Sequence, residues 1–545
     1  MTRRLLTLAG LALGPLLVLG VFFVLPVTGM VSRGFFTETG FDPGAVAEVL
    51  ARPRVHRVLW FTLATSLSGT VLAVLLGVPV AHVLHRTRLP GRRVLRSALL
   101  VPFVLPTVVV GVAFRQLLTE TGPLGFLGLD GTPVAIVAAL VFFNVAVVVR
   151  AVGASWESLD RRPADAAAAL GASPAHVFWT VTLPSLRPAI VSAASVVFLF
   201  CATAFGVVLT MGGRRYATVE TEIYRLTVQD LDLQAAAALS VLQLLVVMGL
   251  LAVSHRARVV PAAATSRVTS APQPLGRRDL PALGATVVTL LLAGLPIGTL
   301  VAGSLRDGDG WGLGNYRRLG TAGENQALLV PVTDALATSL RTAVDATWLA
   351  LGTGLLIAVV VTRRSRSVAE RRTRSVLDSV FMLPLGVSAV TLGFGFLITL
   401  DRPPLDLRDS AALVPIAQAL VALPLVVRTI TPVLAGIDDR LRQAAASLGA
   451  SPLRAFATVD LPAVWKPLLA ASGFAFAASL GEFGATSFLA RDEHPTLPVV
   501  IFRLIGHPGA DNYGMALAAS VVLATTTAVV MLVVERLRVP SVGAF

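Results

Sequence analysis

Two stretches of this 545-residue chain, one in each half, nearly repeat each other. Residues 165–184 read DAAAALGASPAHVFWTVTLP, and residues 443–462 read QAAASLGASPLRAFATVDLP. Alanine favours helix, glycine ends helices, and a serine–proline pair is typical of the start of a new helix. Each stretch therefore predicts a short helix, a tight corner and a second helix.

The spacing between the two stretches extends well beyond them. It is 278 residues for the repeated motif, and the same spacing relates three further features: Leu105-Pro106 to Leu383-Pro384, Arg150 to Arg428, and Phe205-Gly206 to Phe483-Gly484. A constant spacing over this length of chain indicates an internal duplication. We therefore expect two homologous halves.

Both halves are strongly apolar. The chain is 55% hydrophobic and 14% charged, with a mean hydropathy of +0.78, whereas soluble domains carry about 25% charged residues. Apolar runs of about 20 residues predict membrane spans, and twelve recur, near 5–27, 58–82, 97–118, 132–150, 189–211, 235–254, 282–303, 338–361, 377–400, 411–428, 468–490 and 514–535. The sequence predicts an all-α polytopic membrane protein of two six-helix halves, the first run being an uncleaved anchor. It excludes a soluble enzyme, a disordered chain and a fibrous protein.

Arginine clusters indicate the orientation of these spans. The chain has 45 basic residues, of which only Lys466 is a lysine. Arginines gather after the second and eighth spans, between the halves and at the end of the chain, for example Arg86, Arg88, Arg92, Arg363, Arg371, Arg277 and Arg536. With twelve spans all of these lie on one side, and basic residues mark cytoplasmic loops. We expect both termini in the cytoplasm, and the net charge of +14 then requires no nucleic-acid partner.

A polar segment separates the two halves. Residues 255–281 (HRARVVPAAATSRVTSAPQPLGRRDLP) are rich in Pro, Ala, Ser and Arg, a composition typical of a flexible linker. The predicted organisation is a first transmembrane half over 1–254, a cytoplasmic linker over 255–281 and a second transmembrane half over 282–545. Two six-span repeats share one orientation, so we expect a pseudo-twofold axis along the membrane normal and a pathway between the halves.

The repeated motif resembles the signature of permease subunits of binding-protein-dependent ABC importers, in which EAA, three residues, G, nine residues and I-x-LP follow one another. The matching positions are Asp165, Ala166, Ala167, Gly171, Leu183 and Pro184, and then Gln443, Ala444, Ala445, Gly449, Leu461 and Pro462. The resemblance implies that both motifs are coupling helices on which a cytoplasmic ABC ATPase homodimer docks. Asp165 and Gln443 replace the usual Glu, and loss of the charge at Gln443 implies one weaker salt bridge to the ATPase.

ATP hydrolysis is expected on a separate chain. A phosphate-binding loop of the form G-x-x-x-x-G-K-[ST] needs a lysine, and Lys466 lies in AVWKP (463–467), which lacks the glycines. We expect a transport subunit that is not an enzyme and binds no cofactor, with ATP and Mg²⁺ held by the partner. Cys201 is the only cysteine, which excludes an intrachain disulfide. The histidines are scattered, so no metal site is expected.

The substrate is indicated by resemblance alone. Fused two-half permeases resemble the branch of importers that serves thiamine, ferric iron and some phosphonates. The stretches most like the thiamine permease are 141–144 (VFFN), 211–213 (MGG), 217–220 (ATVE), 479–484 (SLGEFG) and 496–498 (TLP). The run 481–485 (GEFGA) also resembles molybdate and sulfate permeases. The resemblance implies a permease of the bacterial cytoplasmic membrane for a small solute delivered by an extracytoplasmic binding protein. Thiamine is the first expectation, with ferric iron, phosphonate or an oxyanion as alternatives.

Five residues are candidates for the substrate pathway: Glu482, Phe483, Phe205, Asn144 and Arg115. An ionised carboxylate inside a span is costly unless it is paired or lines a watery cavity. Glu482 would suit a cationic thiazolium, with Phe205 and Phe483 as stacking partners. Alternatively, Glu482 pairs with an arginine or a backbone donor to fix helix packing, and Asn144 makes an interhelical hydrogen bond.

Two other classes of protein fit the sequence less well. A secondary transporter driven by an ion gradient predicts paired carboxylates near the midplane and broken helices in both halves. Ala204, however, occupies the first-half position that corresponds to Glu482. A membrane-embedded enzyme needs clustered acid, base or metal ligands, and the sequence contains no H-E-x-x-H or G-x-S-x-G motif.

Overall fold

The computed structural model describes residues 2–37, 40–213, 215–257, 273–308, 310–363, 367–401 and 405–537. Regular structure in these ranges is almost entirely helical, which confirms the prediction of an all-α polytopic protein. Two short antiparallel hairpins are the exception: β1 (Phe36–Thr37) with β2 (Gly40–Phe41), and β3 (Arg306–Asp307) with β4 (Gly310–Trp311). Most of the predicted linker, residues 258–272, lies outside the described residues.

The helices follow one another in a similar order in the two halves. Those of the first half are α1 (Thr2–Leu19), α2 (Leu25–Phe35), α3 (Pro43–Ala51), α4 (Pro53–Arg86), α5 (Arg92–Ala98), α6 (Val101–Val104), α7 (Thr107–Leu118), α8 (Pro133–Glu157), α9 (Arg162–Ala169), α10 (Pro174–Val177), α11 (Leu183–Ala202), α12 (Gly206–Met211), α13 (Val219–Val228) and α14 (Leu233–Ala257). Those of the second half are α15 (Leu280–Ser304), α16 (Gly314–Arg318), α17 (Val332–Thr362), α18 (Val368–Phe381), α19 (Ala389–Thr399), α20 (Leu413–Ala435), α21 (Asp439–Ser447), α22 (Pro452–Ala455), α23 (Leu461–Leu480), α24 (Thr486–Leu489), α25 (Leu497–Gly506) and α26 (Ala510–Leu537).

The chain divides into two compact units that do not follow the order of the sequence. The second-half unit comprises the described residues of Met1–Leu50, Ile223–Leu244 and Ser304–Val542, and the first-half unit comprises Ala51–Glu222 and Leu245–Gly303. Helices α1 and α2 therefore belong to the second-half unit, and nearly all of α15 belongs to the first-half unit. The leading helix of each half is exchanged.

The exchanged helices are packed by ordinary apolar contacts. In the second-half unit, Leu19 and Phe23 share a buried cluster with Ile357 and Phe396. In the first-half unit, Leu290 and Ala293 of α15 pack against the apolar side chains at the end of α4. Each leading helix thus buries one face in a unit built mainly by the other half of the chain.

The start of α15 is also tied to the end of α4 by polar contacts. The backbone N–H of Gln273 donates to the Arg86 carbonyl at 2.9 Å, and the N–H of Arg88 donates to the Gln273 carbonyl at 2.7 Å. Nearby, Nε2 of His82 lies 3.0 Å from Oδ1 of Asp279. These contacts fix the described end of the predicted linker on the first-half unit.

Ten helices of the described residues are long and apolar enough to cross a bilayer. An eleventh span is formed if the bent pair Arg92–Val104 and Thr107–Leu118, which turns through 103°, is counted once. The twelfth expected span, near 377–400, is not continuous. It is divided into the charged helix α18, a 3₁₀ turn at Leu383–Gly386 and the short helix α19.

Proline explains both interruptions. Leu105-Pro106 precedes α7, and Leu383-Pro384 opens the turn before α19. A proline disfavours helical backbone at the residue before it, and Leu105 is accordingly extended, with φ −65° and ψ 138°. The repeated Leu-Pro pair therefore marks a break in the same span of each half rather than the interior of a helix.

One glycine in each half permits a close helix contact. A Cβ at Gly77 would lie 2.7 Å from Val148, and a Cβ at Gly354 would lie 2.6 Å from Val426. These positions correspond between the halves and bring α4 against α8 and α17 against α20. Gly352, two residues earlier on α17, faces open space.

Gly354→Ala should destabilise the protein while Gly352→Ala should not. The first methyl group would force apart two packed backbones, at a cost of about 1–3 kcal/mol, whereas the second would gain up to about 1 kcal/mol of helix propensity. Thermal unfolding of the two variants in detergent compares them on one helix. Equal midpoints would contradict the close packing of α17 on α20.

Candidate functional site: the coupling loops and the broken helices

The first coupling loop turns at a glycine in the left-handed conformation. Gly171 follows α9 with φ +89°. Its N–H donates to the Ala168 carbonyl at 3.0 Å, and the N–H of Ala172 donates to the Ala167 carbonyl at 3.1 Å. This pair of bonds is a Schellman motif, which closes the end of a helix and needs a residue without a Cβ at its turn.

The second coupling loop has the same corner. Gly449 follows α21 with φ +81°. Its N–H donates to the Ala446 carbonyl at 3.0 Å, and the N–H of Ala450 donates to the Ala445 carbonyl at 3.0 Å. The two repeated stretches therefore form the same backbone structure with the same hydrogen bonds, as their sequences predict.

Serine starts the next helix in both loops. Oγ of Ser173 accepts the N–H of His176 at 3.3 Å, and Oγ of Ser451 accepts the N–H of Arg454 at 3.3 Å. A proline follows each serine at the first helical position, where its missing N–H costs nothing. Serine and proline thus perform the capping role expected of them.

Both loops present the residues of the motif on an exposed surface. Asp165 and Gln443 are exposed on α9 and α21, where α9 also carries Ala166 and Ala167 and α21 carries Ala444 and Ala445. Leu170 and Leu448, at corresponding corners, are 90% and 89% exposed. A fully exposed leucine is unremarkable once, but the same leucine at both corners marks a surface that a partner could cover.

The motif ends after a π-helical turn that sequence reasoning did not predict. Such turns cover Phe178–Thr182 and Phe456–Asp460, and they lead directly into α11 at Leu183-Pro184 and into α23 at Leu461-Pro462. A π turn inserts one extra residue into a helix and often marks a functional site. The repeat of the turn in both halves makes it part of the loop design.

A cluster of charges anchors the second loop. Nε of Arg442 lies 2.7 Å from Oδ1 of Asp460, and Nη1 of Arg442 lies 2.7 Å from Oδ1 of Asp439. Arg363 approaches the other oxygen of Asp460 at 3.3 Å, and the Asp460 side chain is only 2% exposed. Burial of the Arg442 guanidinium opposes its charge, but the hydrogen bonds to Asp460 and Asp439 prevail and raise the pKa of Arg442 above its usual value. Sequence reasoning missed this cluster, for which the only signal was the spacing of Asp439 and Arg442 on one helix.

A different group of charges lies at the base of the first loop. Glu157 ends α8, and its Oε1 lies 2.9 Å from Nδ1 of His85 and 2.9 Å from Nη2 of Arg96. Arg96 also donates to the backbone carbonyl of Leu84. The carboxylate and its partners join α8 to α4 and α5.

Glu482 caps a short helix at the break between α23 and α24. Its Oε1 accepts the N–H of Ala485 at 2.7 Å, and its Oε2 accepts the N–H of Thr486 at 3.0 Å. The hydroxyl of Thr486 in turn donates to the Glu482 carbonyl at 2.9 Å. The side chain is buried, so the backbone supplies the partners that a buried carboxylate requires, as one of the two alternatives for Glu482 proposed.

The other pathway candidates lie in varied surroundings. Phe483 is buried, with its ring centroid 5.5 Å from that of Phe502. Asn144 donates from Nδ2 to the Leu140 carbonyl at 2.9 Å and to Sγ of Cys201 at 3.5 Å, which links α8 to α11. Phe205 is buried at the break before α12, and Arg115 is half-buried on α7. Glu482 and Phe483 belong to the second-half unit, and the other three belong to the first-half unit.

Within the described part of the chain, no group of three or more His, Cys, Asp or Glu side chains is arranged to hold a metal ion. His82 pairs with Asp279, and His85 pairs with Glu157. The chemistry of the site is therefore that of helix ends, exposed loops and ion pairs.

Comparison with known proteins identifies the family. The model of the binding-protein-dependent transport system inner membrane component matches residues 69–261 and 350–538. The chain belongs to this family. Each matched segment contains one coupling loop, so the internal duplication is a duplication of the family's domain, and the chain is a fused two-half ABC importer permease.

Individual relatives cover most of the chain. It is 28% identical over 469 residues to the thiamine transport system permease protein ThiP of Escherichia coli, covering 82% of this chain and 83% of that protein. It is 27% identical over 502 residues to ThiP of Brucella abortus, covering 88% of each. The molybdenum transport system permease protein ModB of Mycobacterium bovis is 38% identical over 229 residues, covering 38% of this chain and 82% of that protein.

Among solved structures, the chain is similar to a bacterial ABC transporter involved in the import of the acidic polysaccharide alginate. The TM-score is 0.41 at 17% sequence identity, and the match covers 47% of this chain and 97% of that one. Family membership and the ten long apolar helices together make this permease a multi-pass protein of the bacterial inner membrane.

Asp460→Asn should loosen the second coupling loop. The substitution leaves Arg442 and Arg363 without their buried carboxylate, and breaking a buried ion pair costs about 3–5 kcal/mol. Thermal unfolding and limited proteolysis of the loop measure the effect. The double variant Asp460→Asn/Arg442→Gln should lose less than the sum of the single losses, and strict additivity would contradict a direct pair.

Replacing Glu482 should lower stability in steps. Glu482→Ala removes both acceptors and should cost about 1–3 kcal/mol, whereas Glu482→Gln keeps one acceptor and should lose less. Unfolding and solute uptake are measured on the same preparations. A change of uptake KM in Glu482→Gln with an unchanged unfolding midpoint would instead favour a direct role in the pathway.

Proposed function

We propose that this chain is the membrane permease of an ATP-driven importer whose solute is thiamine. The observation that carries the proposal is the coverage of the relatives named as thiamine permeases, which align over 82% to 88% of this chain. They also match over 83% to 88% of their own length. The likeness therefore includes both halves and both coupling loops rather than one shared domain.

The energy for transport comes, in this proposal, from a separate ABC ATPase homodimer. Each loop offers a short helix of small residues with an exposed leucine at its corner, Leu170 or Leu448, which suits docking in a groove of a partner. The sequence has no phosphate-binding loop of its own. ATP and Mg²⁺ bound to the partner stabilise one state of the permease over the other, and hydrolysis restores the first state.

An extracytoplasmic binding protein delivers the solute to the outer face. Both termini lie in the cytoplasm, as the arginine distribution of the loops indicates. Specificity resides chiefly in the binding protein, with Glu482, Phe483, Phe205, Asn144 and Arg115 as candidates for the path through the membrane. The broken helices at α11–α12 and α23–α24 also fit a secondary transporter, but membership of the importer family favours the ATP-driven class.

An oxyanion is the second candidate solute. The molybdenum permease relative has the higher identity, 38%, although it matches only 38% of this chain. Ferric iron remains an alternative on the resemblance of the fused architecture.

The test is ATP hydrolysis by the chain reconstituted in lipid with its ATPase and binding protein. Thiamine, ferric iron, molybdate and a phosphonate are added separately, and preparations without binding protein are the control. Stimulation by thiamine alone is expected. Stimulation by another solute alone would overturn thiamine, and uptake driven by an ion gradient without ATP would overturn the importer.

Gln443→Glu should strengthen coupling at the second loop. The substitution restores the carboxylate that the family motif carries, and an exposed ion pair is worth up to about fivefold in affinity. The affinity of the ATPase for the reconstituted permease measures the gain, with Asp165→Asn expected to act in the opposite direction. An unchanged affinity in both variants would contradict a charge contact at this position.

A further inference from the structure

The bases of the two coupling loops differ in charge at corresponding positions. The second half has two arginines and two carboxylates there, and the first half has two arginines and none. The second-half set is Arg363, Asp439, Arg442 and Asp460, and the corresponding first-half set is Arg86, Arg161, Ala164 and Thr182. Thr182 replaces the buried Asp460, and Arg161 replaces Asp439, so both acidic partners are lost.

The two first-half arginines have buried donors without acceptors. Nη1 of Arg86 and both Nε and Nη2 of Arg161 are inaccessible to water and make no hydrogen bond to the described residues. The charge of Arg161 repels that of Arg86, and the exposed Asp165 attracts Arg86 without forming an ion pair in the described structure. Buried charged donors are costly unless an anion pairs with them.

We propose that Arg86 and Arg161 bind a carboxylate side chain of the ATPase subunit that docks on the first coupling loop. This inference rests on the proposed function, because it requires that partner. A carboxylate is the group that fills the corresponding place in the second half, where Asp460 contacts both Arg442 and Arg363. Arg161 immediately precedes α9 and lies four residues before Asp165, so a protein bound to the loop reaches it.

The two docking sites are consequently unequal. Identical ATPase subunits present the same carboxylate to both loops, but at the second loop Asp439 and Asp460 already neutralise the arginines. The first loop gains an ion pair only on docking, whereas the second is held in place by its own side chains. The partner therefore contributes more binding free energy at the first loop.

The test measures the affinity of the ATPase for the full chain in nanodiscs. Arg86→Gln and Arg161→Gln should each weaken binding by about tenfold or more, because a charged group on the partner loses its buried pair. The dependence of affinity on salt should also fall. Arg93→Gln is the matched control, since Arg93 is an exposed arginine of the neighbouring helix α5, and it should change affinity by less than about threefold.

A second variant separates this role from misfolding. Thr182→Asp supplies the carboxylate that Asp460 supplies in the second half. It should raise the unfolding midpoint of the permease alone, because it neutralises a buried arginine, while weakening ATPase binding. A raised midpoint with unchanged ATPase affinity would overturn the proposal.

The remaining outcomes are distinct. If the unaltered chain binds the ATPase and both glutamine variants bind equally well, the inference fails and the proposed function stands. If the unaltered chain binds no ATPase, the proposed function fails with it. If anionic lipid raises the midpoint of the unaltered chain but not of the glutamine variants, and their ATPase affinity is unchanged, the occupant is a lipid phosphate and the proposal is overturned.

Discussion

The hydrocarbon interior of the bilayer offers no hydrogen-bond partner to a backbone group that leaves a helix. Every break in a span of this chain therefore depends on side chains that replace the missing bonds. Glu482 does this at the break before α24, where its two oxygens take the backbone N–H groups of Ala485 and Thr486. Ser388 does the same before α19, by accepting the N–H of Thr391 at 3.0 Å. The positions of the breaks follow from where such partners are available.

The duplicated halves keep the same backbone at the coupling loops but hold it differently. The corners at Gly171 and Gly449 have matching hydrogen bonds, since these depend only on neighbouring residues. The anchoring side chains have diverged, with Arg442 and Asp460 in one half and Ala164 and Thr182 in the other. Duplication thus preserves the shape that a partner recognises while leaving the two loops free to differ in rigidity and charge.

Proline and arginine patterns in the sequence indicate the spans, but not how they are completed. Leu383-Pro384 lies inside an apolar run that looks continuous, and the structure divides it into α18 and α19. Helices α1 and α2 belong to the second-half unit, although they precede the first half in the chain. An apolar helix face is compatible with many neighbours, so its partner depends on the packing of the whole unit.

The sequence by itself determined the features that depend on neighbouring residues: the apolar helices, the glycine corners, the serine caps and the duplication at a spacing of 278 residues. These follow from hydrogen bonds and torsion angles within a few positions of each residue. Only the tertiary structure decided which helices are exchanged, that the Glu482 carboxylate is taken by backbone donors, and that Arg86 and Arg161 lack the carboxylates found beside Arg363 and Arg442. Side chains such as Arg363 and Asp460 are separated by 97 residues, so their contact depends on how the helices pack.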